Sequence, residues 1–238
     1  MLMHPPPIDT VHALMRMSPQ RAIWFCPVQT VLRIVHENPG YGMLVLTFLA
    51  GMSMWPTAAL YAPQEAGFFN GLLLSSLLSF GLALEFLQLF VGAFLIRIAS
   101  AFFGGRAGIT TIQTVIAWAN IPIVALGLIS LPLAVFAGIH SEWLGETLSP
   151  TQSTLAFTVA VAVFVFQLAL IIWSWVIFLT GLAAVQGFSV LRAFASALLA
   201  WISVAALVAI AALALGYSGQ LSELFFSGLS QWMTLYSQ

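Results

Sequence analysis

Glu85 is the one acidic residue placed inside a long apolar run of this chain. A carboxyl group there could relay protons or coordinate a cation, because ionisable groups are costly in hydrocarbon and face protein or water. It precedes Arg97 by about 18 Å of helix, at 1.5 Å per residue, which places it near mid-membrane. Four amide side chains also lie in apolar runs, Gln88, Gln113, Asn120 and Gln167, and could converge on Glu85. Two chemistries compete. One is a proton-linked or cation-coordinating carboxylate in a carrier. The other is a carboxyl hydrogen-bonded to Gln113, Asn120 or Gln167 that glues helices together. The second is favoured, since no second acid, histidine or lysine accompanies Glu85 in the runs. Pro122 is a kink candidate that removes a donor and frees the carbonyl of Trp118. Asn120 could then satisfy the freed groups or line a cavity, and packing is again the favoured role.

Other chemistries find no residues. His4, His12, His36 and His140 all lie outside the apolar runs, and no HExxH pattern occurs. A Walker loop needs a lysine, and the chain has none. One cysteine, Cys26, excludes an internal disulfide and any CxxC motif. The expectation is no catalytic residue, no metal site and no cofactor.

The elements that must hold these residues follow from composition. Of 238 residues, 61% are hydrophobic and 5% charged, with a mean hydropathy of +1.06. Soluble domains carry about 25% charged residues. A water-soluble enzyme is excluded, as is a disordered or nucleic-acid-binding chain. A bilayer core of about 30 Å needs about 20 apolar residues per helix. Five runs meet this, at residues 41–61, 71–98, 109–139, 155–185 and 191–216. The fold class is therefore all-α, a polytopic bundle of five transmembrane helices. Pro56, Pro122 and Pro132 are the kink candidates.

Basic residues orient such a bundle, because positively charged segments stay in the cytoplasm. Arg16, Arg21 and Arg33 precede the first run, Arg97 and Arg106 flank the second junction, and Arg192 lies between the fourth and fifth. All six face one side of a five-span chain. Glu65, His140, Glu142, Glu146 and Glu223 fall on the other. This predicts a cytoplasmic N-terminus and an external C-terminus. Residues 1–40 form a cytoplasmic segment, 41–216 the spanning domain and 217–238 an amphipathic tail on the outer side. Between Pro27 and Asn38, Val28, Val31, Leu32 and Val35 recur at helical spacing, and Leu221, Leu224, Phe225, Leu229, Trp232, Met233 and Tyr236 make a similar stripe. Both are expected as interfacial helices in the headgroup plane, or packed on the bundle's own ends. The first twenty residues lack the apolar run of a signal peptide, so no cleaved leader is expected. A parallel repeat of two hairpins is also readable. It pairs Gly108-Ile109-Thr110 with Gly187-Phe188-Ser189, and Gln88-Leu89 with Gln167-Leu168.

The second junction reads Phe102-Phe103-Gly104-Gly105-Arg106-Ala107-Gly108-Ile109-Thr110, followed by Ala117-Trp118-Ala119-Asn120-Ile121-Pro122. A helix ending in a Gly-Gly-basic-x-Gly turn, then an aromatic-small-polar-x-Pro helix, resembles the Yip-domain family of Ypt-interacting proteins. The segment from Pro27-Val28-Gln29-Thr30-Val31-Leu32-Arg33 to Asn38-Pro39-Gly40 is similar to the pre-membrane segment of its bacterial members. The resemblance implies five spans, in agreement with the hydropathy count. Eukaryotic members act in vesicle traffic and bind prenylated small GTPases, through proteins with a long cytoplasmic N-terminal domain that this chain lacks. Short loops and arginine-only basicity suggest a bacterial inner-membrane protein. In the turn, Gly104, Gly105 and Gly108 permit a tight reversal, and Arg106, like Arg192, can sit among anionic headgroups. A topology-fixing turn is favoured there over a binding loop. The expected function is a non-enzymatic membrane-organising or partner-binding scaffold, with membrane lipids and other membrane proteins or its own copies as partners and no nucleic acid. The alternatives are a small transporter or channel-like protein using Glu85, and a lipid-handling protein.

Overall fold

A computed structural model describes residues 17–59, 71–144 and 150–214. The tail at 217–238, the first sixteen residues and the end of the first apolar run lie outside these. The described residues are helical, with no strand among them. Nine α-helices are used below: α1 Pro19–Ala22, α2 Pro27–Glu37, α3 Met43–Ala59, α4 Gly71–Leu87, α5 Ala93–Phe102, α6 Ile109–Ala119, α7 Ile121–Leu144, α8 Pro150–Gln186 and α9 Val190–Ala214. A π-helical segment, Gln88–Gly92, joins α4 to α5 without a break in direction.

Among the described residues four stretches are long and apolar enough to cross a membrane: Leu78–Phe102, Ile109–Leu133, Val161–Gln186 and Val190–Ala211. The described part of the first run is shorter, an apolar stretch of Met43–Met54 within the 17-residue α3. The second of the four is 67% buried and the other three 22% each, which makes α6 and α7 the centre of the bundle. Around them stand α3, α8 and the α4–α5 column, with α9 on the outside against α5 and α8. The long helices turn their remaining faces outward, as helices facing lipid do. Helix α8 has 37 residues, about 55 Å, so it overreaches the hydrocarbon thickness.

Helix α2 starts at Pro27, whose fixed φ suits a first turn, and stops at Asn38 ahead of Pro39. Its face of Thr30, Val31 and Ile34 is buried, while Leu32, His36 and Glu37 stay exposed. Val31 and Val115 close together over Gly181, so α2 is packed on α6 and α8. On the outer face Arg33 donates to Glu37 one turn on, at 3.0 Å.

Helix α3 meets both α7 and α4 through small residues, as membrane helices do when van der Waals contact must replace a hydrophobic driving force. A Cβ on Gly127 would collide with Ser53, and one on Gly81 would lie 2.6 Å from the carbonyl oxygen of Gly51. Both helix reversals use one motif. Gly104 and Gly187 have φ of 84° and 72°, and each follows the last residues of a long helix. Gly105 N–H donates to Ser100 O and Gly104 N–H to Ala101 O; Phe188 N–H and Gly187 N–H donate likewise to Ala183 O and Ala184 O. These are paired Schellman closures. They correct the proposed repeat: Gly187 corresponds in structure to Gly104, whereas Gly108 is an extended residue ahead of α6 with φ −72°. Equivalent turns arise from equivalent helix-ending chemistry, and the register read from Gly-x-Thr/Ser is not the structural one.

Candidate functional site

Two irregularities face each other in the middle of the bundle. On one side the α4 helix widens into the π segment three residues after Glu85. On the other, α6 ends at Ala119 and α7 begins at Ile121, with Asn120 between them. Such interruptions free backbone groups that a buried helix must satisfy. Pro122 lies in the first turn of α7 and has no N–H for the Trp118 carbonyl, while Asn120 N–H donates to Ala117 O at 3.2 Å. Ser174 Oγ on α8 donates to Ala119 O at 2.8 Å. The helix break is thus closed from within and from a neighbour.

The Asn120 side chain is thereby left to point away from its own backbone. Its Nδ2 donates to Glu85 Oε2 at 2.7 Å, joining α4 to the break. Asn120 is buried and Glu85 half-buried. The other amides do not gather around this pair. Gln167 donates to Ser130 Oγ at 3.4 Å, and Ser130 lies ten residues beyond Asn120, about 15 Å up the bundle. Gln113 is buried on α6, seven residues or about 10 Å the other way. Gln88 is half-buried in the π segment. Helical rise spreads these residues along the bundle, which is why one converging polar core does not form. Among the described residues no three His, Cys, Asp or Glu side chains form a cluster able to hold a metal.

A second polar cluster joins the two reversals. Gln186, the last residue of α8, accepts from Ala107 N–H through Oε1 at 2.9 Å, across 79 residues of chain. Gly105 lies against that same amide: a Cβ there would collide with Gln186 Oε1 and lie 2.9 Å from Ser100 Cβ. Arg97 reaches back to Gly105 O at 3.5 Å, while Arg106 and Arg192 are exposed. Ser100 Oγ and Gln186 Nε2 are buried without a partner among the described residues. Of the glycines singled out in the sequence, Gly104 supplies the left-handed turn and Gly105 the close approach. Gly108 has open space around it. Sequence reasoning missed Gln186 and Ser174; the only local signal was a glutamine placed directly before a helix-ending glycine.

Trp118 completes the site's wall. It is 1% exposed, donates Nε1–H to Tyr41 O at 2.9 Å, and stacks on the Tyr41 ring at 6.1 Å. Gly40 N–H donates to Thr114 Oγ1 at 3.1 Å. The Asn38-Pro39-Gly40 stop of α2 is therefore stitched to α6, and α3 starts from a fixed point beside the break.

The Yip1 domain model matches residues 21–230. This chain belongs to the Yip1-domain family. The match runs from α1 past the end of α9 and takes in the glycine turn, the Asn120 break and both hairpins. No curated protein and no solved structure matches the chain. Family and helices together make it an integral membrane protein of the Yip1-domain type.

Proposed function

We propose that this Yip1-domain protein is a non-enzymatic scaffold that organises membrane or binds partners through its helices and its turn-bearing end. The observation that carries this is the exterior of that end. Phe102 and Leu191 flank the two reversals and are 78% and 76% exposed, beside exposed Arg106 and Arg192. Apolar and basic side chains side by side suit a protein partner or a headgroup layer better than they suit a reaction. Five spans, with α3 completing the first, an N-terminus in the cytoplasm and the arginines inside, fit the positive-inside rule. A bacterial inner membrane is the proposed location. A reporter fused after Gln238 is expected to be active only outside the cytoplasm, and activity inside would overturn the odd span count.

The scaffold role is tested with a photo-crosslinking residue placed at Phe102 or Leu191 in living cells. A discrete protein adduct or self-adduct is expected from both positions but not from Phe164, on the outward face of α8. Adducts at none of the three, with the bare protein recovered each time in mild detergent, would sink it.

A carrier is the second possibility, favoured by the π segment and helix break that meet at Glu85 and Asn120, since π segments recur at functional sites. It requires that Glu85→Gln abolish a pH-dependent flux in proteoliposomes without lowering expression. The scaffold role expects no flux in either protein. Glu85→Gln can still accept from Asn120 and should cost little stability. Glu85→Leu orphans the buried Asn120 amide and should cost about 1–3 kcal/mol.

A further inference from the structure

The face that the α4–α5 column turns inward holds one residue more than a straight helix has room for. Gly81, Leu89, Ala93, Ile96 and Ser100 are buried, and half-buried Glu85 reaches Asn120 from the same face. These six positions span 19 residues in five turns. Five turns of α-helix take about 18. The π segment holds the difference, for Ala93 N–H donates to Gln88 O, five residues back instead of four. Wound as α, Gln88–Gly92 would turn α4 by about 100° against α5 and take Glu85 off the Asn120 side.

Both ends of the column are held by packing. Gly81 lies against the backbone of Gly51, and α5 packs on α6 and α9. Gly92 has no such duty: among the described residues, the one side chain within 4 Å of a Cβ there is Gln88 of its own turn. Glycine is a weak member of an α-helical turn, so the backbone widens at least cost beside it. Gly81 offers a second weak turn at the other end. Between the two glycines, Phe86 and Phe90 stack on each other at 6.4 Å and can turn as a pair.

We propose that the extra residue moves along this helix and makes it a two-position gate for Glu85. At Gln88–Gly92 it holds Glu85 against Asn120. Between Gly81 and Glu85 it puts Phe86 in the place of Glu85 and Phe90 in that of Leu89. The carboxyl then turns by about 100° into the exposed place of Leu84, while both packed ends stay where they are. Phe90 is larger than Leu89, whose place is fully buried, and a carboxyl is costly on a lipid-facing surface. The inward position is therefore the resting one. The gate goes beyond both roles above, since it needs only the geometry of the column.

Spin labels on the full chain in nanodiscs test this, with Cys26→Ser so that each label has a single cysteine. A label at exposed Leu87 moves into the half-buried place of Phe86 in the outward position. Its spectrum should hold a minor slow component beside a fast one, whereas a label at Phe94, beyond the segment, should show one component. Phe90→Leu changes an exposed residue of the resting bundle and should enlarge the slow component severalfold. Deleting Val91 removes the extra residue, and should leave a folded protein with only the fast component at Leu87. Deleting Ile98 from α5 instead throws Ala93 and Ile96 out of register and should lose most of the folded yield. A single component at Leu87 in both the parent and Phe90→Leu would overturn the gate. So would a Val91 deletion that folds no better than the Ile98 deletion.

Discussion

Gly105→Leu should destabilise the folded protein more than any other single change in the two reversals. The added side chain would enter the space held by the Gln186 amide and by Ser100, which is 0% exposed. Overpacking of this kind costs about 1–3 kcal/mol. Displacing Gln186 also takes the acceptor from Ala107 N–H, and an orphaned buried donor adds about 1–3 kcal/mol. Neighbouring glycines provide the contrast. Gly104→Ala meets open space but holds φ at 84°, and should cost about 1–2 kcal/mol for a left-handed backbone. Gly108→Ala meets open space with φ −72°, and should be nearly neutral. Unfolding by sodium dodecyl sulfate in mixed micelles, followed by tryptophan fluorescence, gives the three values. If Gly105→Leu falls within 0.5 kcal/mol of Gly108→Ala, the two reversals are not coupled through Gln186.

Trp118→Ala is expected to be the most damaging change in the core. The indole is the largest fully buried side chain among the described residues, and removing such a ring costs about 3–5 kcal/mol. The loss is compounded at Tyr41, which gives up both its stacked ring and the donor to its carbonyl. Because Tyr41 leads directly into α3, the variant should also loosen the start of that helix. Hydrogen exchange of Met43 to Leu46 should therefore rise more than that of α9, which Trp118 does not anchor. Trp118→Phe keeps most of the packing, loses one hydrogen bond and should cost about 1–2 kcal/mol. Equal exchange in α3 and α9 would show that Trp118 acts as filler alone.

Some of this site could be read before any fold was known. Glu85 stands out because one carboxyl in a run of apolar residues is conspicuous whatever surrounds it. Asn120 was one of three amides named as its partner, and Pro122 pointed to the freed Trp118 carbonyl. The glycine cluster after Phe102 announced a reversal. What could not be read was the choice among partners. Gln113, Asn120 and Gln167 are equally polar in sequence, and their separation along the bundle depends on which residues of two helices share a level. Gln186 had no visible reason to matter until Gly105 was found packed against it. The repeat register failed for a related reason: Gly-x-Thr/Ser patterns are common beside helix ends, and only φ distinguishes a helix-closing glycine from an extended one.

The chain alone was enough to place it in a bilayer, to make it helical and to mark where the long helices reverse. Those properties are local. Hydrocarbon offers no partner to a peptide group, so each run must satisfy its own backbone, and about 20 apolar residues suffice to say so. Pairing across helices is not local. Lipid and protein interior are alike in polarity, so the faces of a spanning helix carry little periodic signal of which side packs. That is why the joining of Glu85 to Asn120 and the coupling of Gly105 to Gln186 emerged from the assembled bundle. Each depends on helix levels that close packing sets and that hydropathy does not encode.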